Sequence, residues 1–398
     1  MKTTMEMIRT FHPVGQGAFY SEKFETRSGD TFTIVYDCGS DALNKNQNKR
    51  EREKVEAKIK TAFPKDSQID ILFISHFHAD HINGIELLKN HYKEITTVIL
   101  PELTPEAKIL LKIEYFLEND PFDKPSYEKF EQLIDNPVSF FGEERVQIIT
   151  IKPVDEESRF NDEQLSEPIN ISEVTGNKTF PSGTNFSHSQ VEHWFFIPFN
   201  YKQEERRKQL EGAIAAKGIK LESLNDIDAI IEQKQPLKEA YESIYRNLNV
   251  TSMILYSGPL PQDSSSCFPQ IYIQTSCFRG HLYPYDHLWD DFHRGCLYTG
   301  DISLKAKDII ADISDRLKNF LQSIGTLQIP HHGSIHNFEK SILQLGHIRY
   351  AIFSFGSNNT YGHPSDFVVE EVVKEGVLPC LITEDPSSIV VQHIRFYP

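Results

Sequence analysis

The sequence predicts an α/β protein whose strands come first. The opening forty residues alternate like a β-hairpin, and strand and helix patterns alternate again through the last third of the chain. Between these regions, the apolar run 69–75 leads directly into His76-Phe77-His78-Ala79-Asp80-His81. A sheet that begins with antiparallel strands excludes a doubly wound nucleotide-binding fold.

The N-terminal part is predicted to be a sheet followed by a charged helix. Period-two alternation predicts strands at 7–11, 18–24 and 31–36. Gly15 and Gly17 open no helix and lack a third glycine, so they predict a tight turn and not a dinucleotide fingerprint. The mixed Lys, Arg and Glu of 44–60 favour a solvated helix over a nucleic-acid arm.

A strand at 96–100 and a long helix follow the histidine cluster. The helix begins at Thr104-Pro105-Glu106. Apolar residues then recur at helical spacing, at Ala107, Leu110, Ile113 and Leu117. One face of this helix is therefore expected to be buried. Residues 155–167 are acidic and poor in large apolar residues, which indicates a loop or the rim of an insertion.

The rest of the chain is predicted to combine a helical appendage with alternating strands and helices. A core strand at 194–199 leads into helical patterns over 201–248. Further strands are predicted at 252–256, 270–275, 296–299, 326–329, 350–355, 380–383 and 388–393. Further helices are predicted at 303–324, 337–345 and 365–374.

The composition is that of an ordinary soluble protein. With 398 residues, 39% hydrophobic and 25% charged, the chain can bury a large core. No apolar stretch is long enough to span a bilayer and the start lacks a secretion signal, so a cytoplasmic protein is expected. The net charge of −16 argues against a broad basic surface for duplex DNA. Five cysteines without a Cys-x-x-Cys pair predict buried free thiols.

The histidine cluster predicts a site for two metal ions. An extended segment points residues i and i+2 the same way, so His76 and His78 can bind one ion. Asp80 and His81 begin a helical pattern that can direct them at a second ion. Imidazole with carboxylate suits zinc best, and manganese and iron remain open.

Two later segments add ligands of the same kind at strand ends. One is Leu297-Tyr298-Thr299-Gly300-Asp301 and the other is Ile329-Pro330-His331-His332-Gly333-Ser334. This order of motifs resembles the metallo-β-lactamase fold superfamily, and the details resemble the hydrolase domain of ComEC-type DNA-uptake competence proteins. The resemblance rests on Val14-Gly15-Gln16-Gly17, Asp37-Cys38-Gly39, 76–81, 249–255, Thr299-Gly300-Asp301, Pro330-His331-His332-Gly333-Ser334 and Tyr361-Gly362-His363-Pro364.

The resemblance implies an αββα sandwich with the metals at one edge of the sheets. His76 and His78 would hold the first metal, Asp80 and His81 the second, and Asp301 would bridge them. His332 is the expected remaining second-site ligand, with His331 as its competitor. The chain is then expected to be one hydrolase domain over 1–398, with an insertion of mixed structure at 102–193 and a helical insertion at 201–248.

One departure from the superfamily pattern concerns the first metal. Many members supply a third histidine ahead of the Gly-Asp motif, whereas the matching strand here is led by Asn247 and Asn249. Asparagine is a weak ligand, and competence-type relatives share this pattern. His188 and His193 are the alternative ligands.

The chemistry expected from such a site is hydrolysis by a metal-activated water. Asp80 would orient or deprotonate the water, and His331 and His363 are the further candidate catalytic residues. The loop 356–365 is small and polar, its Ser365 is expected to cap the next helix, and a helix start attracts anions. The candidate substrate-binding residues are Ser334, Ser357, Asn358, Asn359, Tyr361 and Ser365.

The expected activity is that of a phosphodiesterase or nuclease acting on nucleic acid or nucleotides. A hydrolase of a lactone, thioester or amide is the first alternative. The second is a metal-poor, non-catalytic component of a multi-protein system such as anti-phage defence, with 201–248 docking a protein partner. No membrane association is expected.

Overall fold

The computed structural model describes most of the chain. The described residues are 5–25, 29–44, 47–118, 124–142, 146–154, 167–191, 193–202, 204–224, 226–244, 251–260, 271–274, 293–306 and 308–396.

Strands and helices alternate along the described residues. The strands are β1 (Met5–Phe11), β2 (Phe19–Glu25), β3 (Thr31–Cys38), β4 (Gln68–Phe73), β5 (Glu94–Pro101), β6 (Gln147–Ile151), β7 (Ile169–Asn170), β8 (Lys178–Phe180), β9 (Phe186–Ser187), β10 (Trp194–Lys202), β11 (Thr251–Pro259), β12 (Ile271–Gln274), β13 (Gly295–Tyr298), β14 (Ile324–Gln328), β15 (Tyr350–Ser354), β16 (Leu378–Ile382) and β17 (Val390–Phe396). The α-helices are α1 (Lys49–Thr61), α2 (Ala79–Ile82), α3 (Ile85–His91), α4 (Pro105–Glu118), α5 (Lys124–Asp135), α6 (Pro137–Phe141), α7 (Glu204–Ala216), α8 (Ile227–Glu232), α9 (Lys234–Ser243), α10 (Ile309–Arg316) and α11 (Asp366–Lys374).

The strands form two mixed sheets. The first has the order β12-β17-β1-β2-β3-β4-β5-β6-β8, and the second has the order β16-β15-β14-β13-β11-β10-β9-β7. The strands β3 to β6 run parallel in the first sheet, as do β13 to β16 in the second. Because parallel strands end on the same side, the loops after β3, β4, β13, β14 and β15 can converge on one place.

Strand residues alternate between two hydrophobic layers. Tyr36 and Phe73 contribute to the core between the sheets, whereas Val35 and Leu72 contribute to a layer on the outside of the first sheet. Residues of α1, α3, α5 and α6 belong to that outer layer, and residues of α10 and α11 to the layer outside the second sheet. The predicted αββα sandwich is confirmed.

The helices of 201–248 have a small hydrophobic core of their own. Residues of α7, α8 and α9 pack there against α4, through Leu110, Ile113, Leu210, Ile230 and Leu237. Within 102–193, β6 and β8 are strands of the first sheet. The division of the chain into one domain and two insertions stays a prediction.

Three predicted helices differ from those observed. The predicted helix 80–88 is divided into α2 and α3 at Gly84, which packs so closely that a Cβ there would lie 2.9 Å from the carbonyl oxygen of Cys38. Within the predicted helix 303–324 the α-helix is α10, which begins after Asp308 with its left-handed φ of 61° and is followed by a short 3₁₀-helix, Leu321–Ser323. The predicted helix 337–345 is a short 3₁₀-helix, Lys340–Gln344. The helices α5 and α6 were not predicted.

Cys38 and Cys296 are buried free thiols, as predicted, Cys380 is buried, and Cys267 and Cys277 lie outside the described residues. Among the residues with a described position, no helix combines the length and the apolar character that crossing a membrane requires.

Candidate metal centre

The predicted ligands come together where the parallel strands end. They form two groups of three, and within each group the potential ligand atoms lie within 4.8 Å of one another. The first group is His76, His78 and Asp301. The second group is Asp80, His81 and His332. Between His331 and His332, the structure therefore places His332 in the second group.

The Asp301 carboxylate lies between the two groups. Its Oδ2 is 3.7 Å from His76 Nε2, and its Oδ1 is 3.2 Å from His81 Nε2. On the far side of the second group, Asp80 Oδ2 is 3.1 Å from His332 Nε2 and 4.0 Å from His81 Nε2. One carboxylate oxygen directed at each group is the arrangement expected of a bridging ligand.

These residues fit two small divalent ions. Zinc takes nitrogen and oxygen ligands at about 2.0–2.2 Å in a tetrahedron, which separates neighbouring ligand atoms by about 3.4 Å. The buried Nε2 atoms of His76 and His81 have no hydrogen-bond partner among the described residues. Leaving two buried ring nitrogens unpaired is costly unless a ligand occupies them. Imidazole with carboxylate is also a donor set that zinc, manganese and iron accept.

Asp37, at the end of β3, holds two of these histidines. Its Oδ2 accepts a hydrogen bond from His81 Nδ1 at 2.8 Å and another from Ser75 Oγ at 2.6 Å. Ser75 Oγ in turn lies 2.9 Å from His76 Nδ1 and accepts a hydrogen bond from it. With Nδ1 donating in both rings, the Nε2 atoms of His76 and His81 would be the nitrogens that hold an ion.

The other two histidines are held by different elements. His332 Nδ1 donates to the backbone carbonyl of Ser354, at the end of β15, over 2.7 Å. His78 is held through its Nε2, which lies 3.2 Å from Glu114 Oε2 on α4. Each of the four imidazoles thus has one nitrogen held by a residue outside the two groups, and the other nitrogen of His332 contacts Asp80 of its own group.

The charges favour cation binding. Burial would raise the pKa of Asp301 and of Asp80, but neighbouring imidazoles hold both pKa values well below the usual range, so both carboxylates are anionic. Burial lowers the pKa of His76 well below its usual value, so this ring is neutral and its lone pair is available.

The turn that carries His331 and His332 has an unusual backbone. His331, His332 and Gly333 have φ values of 49°, 55° and 86°. Residues other than glycine rarely adopt this left-handed backbone region, so contacts with the surrounding residues must hold the turn in place. His331 N donates to the carbonyl of Gly300 at 3.1 Å. That bond ties the turn directly to the Gly300-Asp301 turn.

The predicted tight turn at Gly15 and Gly17 supports Asp80. Gly17 has a φ of 141°, and a Cβ there would lie 2.5 Å from the carbonyl oxygen of Asp80. The next residue, Ala18, donates its N–H to the same carbonyl at 3.1 Å. Only glycine allows the first hairpin to approach the metal-binding loop this closely.

A cavity of about 340 Å³ lies against the two ligand groups. His331, His363 and Tyr361 line it from the side of the predicted substrate loop. Residues of α4 and α9 line it as well. They are Leu117, Glu118, Lys238, Tyr241 and Glu242.

Five of the predicted substrate-binding residues are not among those that line this cavity. They are Ser334, Ser357, Asn358, Asn359 and Ser365. Ser334 is buried and Asn358 is exposed to solvent. The Ser357 hydroxyl donates a hydrogen bond to the Glu384 carboxylate.

Asn359 and Ser365 have structural settings that the sequence did not reveal. The Asn359 amide is used within its own loop, donating to the carbonyls of Gly356 and His363 and accepting from the N–H of Tyr361. Ser365 occupies the N-cap position of α11, but its side chain makes no capping hydrogen bond. The expectation that its hydroxyl caps this helix is wrong.

None of the predicted third ligands joins the first group within the described residues. Asn247 and Asn249 lie outside those residues. His188 packs on Phe32 near the start of β3, with ring centroids 4.3 Å apart, and so lies away from the strand ends that carry the site. His193 is exposed.

Sequence reasoning missed Glu114 and Tyr241. Glu114 lies on the face of α4 that Leu110 and Leu117 define, and a carboxylate within a stripe of buried apolar residues was the available signal. Tyr241 OH donates to Glu114 Oε1 at 2.8 Å. No local pattern pairs residues that are 127 positions apart.

Comparisons with known proteins agree with this architecture. Residues 26–153 match the model of the metallo-beta-lactamase superfamily. The match includes β3, β4 and the histidine cluster, and together with the two-sheet sandwich it supports that superfamily for this chain. No curated protein matches the sequence.

Several solved structures resemble this one at low identity. The metallo-beta-lactamase fold protein YhfI from Bacillus subtilis is 12% identical, with 96% of this chain and 98% of that chain covered and a TM-score of 0.36. Zn²⁺-bound PqqB from Methylobacterium extorquens is 8% identical, with 95% and 98% covered and a TM-score of 0.37. A long form RNase Z from yeast is 8% identical, with 90% and 38% covered and a TM-score of 0.36.

The chain therefore has the αββα metallo-β-lactamase fold and carries clustered histidine and aspartate ligands suited to divalent metals. Proteins with this fold are generally hydrolases, and the family match supports a hydrolase here.

Proposed function

We propose that this protein is a metal-dependent phosphodiesterase that hydrolyses nucleotides or short single-stranded nucleic acid. The observation that carries the proposal is the Asp301 carboxylate between two groups of ligands at the wall of a cavity. When bound, two divalent ions lower the pKa of water towards neutrality and stabilise charge on the oxygens of the group under attack. Zinc suits the ligands best, with manganese as the alternative.

Three residues of the chain have roles in this proposal. Asp80 is anionic and faces the second group, where it can accept a hydrogen bond from the attacking water and orient it. Burial lowers the pKa of both His331 and His363 to about 4. Both rings are therefore neutral at pH 7, where each can accept a proton or donate an N–H to a phosphate oxygen.

The choice of a phosphodiester rests on the motif order that resembles ComEC-type hydrolase domains. The choice of a short substrate rests on charge. Asp41, Glu118 and Glu242 line the cavity together with Lys238, and the whole chain carries a net charge of −16. The net negative charge of the chain disfavours binding of a long polyanion. Delivery of substrate by a protein partner that docks on 201–248 belongs to the same proposal.

The test is a substrate panel with metal-loaded protein. Nucleotide phosphodiesters, short single-stranded DNA and RNA, and duplex DNA are compared with lactone, thioester and amide substrates. We expect turnover of the short phosphodiesters and a loss on the order of 10³-fold in Asp80→Ala. Asp66→Ala, in an exposed turn, is the matched control and should keep full activity. Metal-loaded protein that cleaves esters or amides and leaves every phosphodiester intact would refute the proposal.

A further inference from the structure

His78 differs from the other three histidines of the centre in what holds it. His76 and His81 are held through Nδ1 by Ser75 and Asp37, and His332 is held through Nδ1 by a backbone carbonyl. These partners lie on strands of the sandwich or directly after them. His78 is held through Nε2 by a carboxylate on a helix of the insertion.

The contact between His78 and Glu114 is enclosed. The His78 side chain is 14% exposed and that of Glu114 is 5% exposed. Tyr241 OH donates to Glu114 Oε1 at 2.8 Å and lies 2.9 Å from Glu118 Oε1. Burying a carboxylate without such partners costs free energy. Tyr241 lies on α9 and Glu114 on α4, so the packing of these two helices brings the hydroxyl to the carboxylate.

Glu114 is not itself in the ligand group. The atoms of His76, His78 and Asp301 lie within 4.8 Å of one another, and no group found among the described residues includes Glu114. The two nitrogens of an imidazole point away from each other. A carboxylate on Nε2 therefore leaves Nδ1 as the nitrogen that can face an ion.

We propose that Glu114, held by Tyr241, is the positioning residue of the first metal site and fixes His78 so that Nδ1 faces the ion. Through the hydrogen bond from Tyr241 to Glu114, the helices of 201–248 influence the metal affinity of the first site. The inference rests on the proposed function only in requiring a divalent ion at this centre. It does not depend on the substrate.

The physical reason is the effect of a carboxylate behind a metal-binding histidine. It fixes the tautomer and orientation of the ring and raises the basicity of the ligating nitrogen, and its removal commonly costs about 10–100-fold in metal affinity. The first group has three ligands among the described residues, so a disordered His78 leaves the ion with two. The second group does not use Glu114.

The first measurement is zinc affinity of the full chain, by competition with a chromophoric chelator that resolves two binding steps. In Glu114→Ala we expect the first-site affinity to fall about 10–100-fold, with the second site unchanged within about twofold. Glu114→Gln, which keeps the shape of the side chain, should give an intermediate loss. Tyr241→Phe should lower the zinc affinity of the first site about fivefold. Glu106→Gln removes an exposed carboxylate from the same helix and should bind both ions like the wild type.

The second measurement reads the tautomers directly. Long-range ¹H–¹⁵N NMR spectra of the zinc-loaded protein should show His78 protonated at Nε2, and His76, His81 and His332 protonated at Nδ1. Wild-type affinity in both Glu114 variants, equal losses at both sites, or His78 protonated at Nδ1 would overturn the inference. So would a wild-type chain that binds no ion. If Glu114→Ala does not fold, Glu114→Gln still decides. A chain that binds two ions but cleaves no phosphodiester would refute the proposed function alone.

Discussion

The two halves of the metal centre are supported from different parts of the chain. In the second group, His81 is held by Asp37 at the end of β3 and His332 by the carbonyl of Ser354 at the end of β15. In the first group, His78 is held by Glu114 on α4, which packs with the helical insertion. The second group therefore depends on the sandwich alone, whereas the first depends also on helices outside it.

This difference indicates how one site can be adjusted without changing the other. Strands within a sheet hold their ends through many backbone hydrogen bonds, so the second group inherits the rigidity of the sandwich. A helix that packs on the sandwich through side chains can shift or vary with less cost. In the proposed role of Glu114, the first site is the half whose affinity the helices of 201–248 adjust.

The largest effect is expected where the two halves meet. Asp301→Ala removes the carboxylate shared by both groups, so both ions should be lost and hydrolysis should fall by about 10³-fold or more. Metal analysis and steady-state kinetics measure the two effects. Asp315→Ala, on the exposed side of α10, is the control and should change neither. An Asp301→Ala protein that keeps two ions would contradict the bridging position.

Weakening the core of the insertion should separate the two halves. Leu110 is fully buried in that core, on the same helix as Glu114. Leu110→Ala should lower the free energy of unfolding by about 2–5 kcal/mol and should weaken the first site more than the second. Leu133→Ala, in the layer outside the first sheet, should lower the free energy of unfolding by a similar amount and should affect zinc affinity at the two sites equally. Denaturant unfolding and zinc titration test both variants, and equal effects on the two sites in Leu110→Ala would count against the comparison.

Removing Asp37 tests the opposite half. Asp37→Asn takes away the carboxylate that accepts from His81 and from Ser75, so second-site affinity should fall about 10–100-fold. The first site should lose less, because His76 reaches Asp37 only through Ser75. The same zinc titration measures this, with Asp66→Asn in an exposed turn as the matched control. The pattern should be the reverse of that in the Glu114 variants.

The smallest effect separates acid unfolding of the sandwich from acid release of metal. Burial lowers the pKa of His12 to about 3, and its ring stacks on Phe19 with centroids 4.1 Å apart. A histidine in the unfolded chain has a pKa near 6.5. The contribution of neutral His12 to the free energy of unfolding is therefore complete above that pH, and it is lost as the pH falls because the unfolded state takes up a proton first. Between pH 6.5 and 5, His12 should account for about 2 kcal/mol of lost stability. Denaturant unfolding of metal-free wild type and His12→Gln should show a shallower pH dependence in the variant, and identical slopes would refute the assignment.

Much of the centre could be predicted because its ligands are local. His76, His78, Asp80 and His81 lie within six consecutive residues, directly after an apolar strand. The structure brings them together with Asp301 and His332, which also follow strands. Residues at the ends of parallel strands meet because the sheet aligns those ends.

Other predictions depended on interactions that no local pattern encodes. The helix predicted from residue 303 begins only at Ile309, after Asp308 with its left-handed backbone. Asn359 is committed to its own loop by hydrogen bonds that only the folded loop shows. The domain boundaries, the catalytic roles of His331 and His363, and the protein partner stay predictions.

By itself, the sequence determined the layer architecture and the candidate ligands, because strand periodicity and consecutive histidine and aspartate residues are short-range properties of a chain. The tertiary structure alone decided which nitrogen of each imidazole is held and by what. His78 and Glu114 are 36 residues apart and Glu114 and Tyr241 are 127 apart, so their contacts exist only once α4 and α9 have packed beside the sandwich. Orientation of a ligand is a property of that packing.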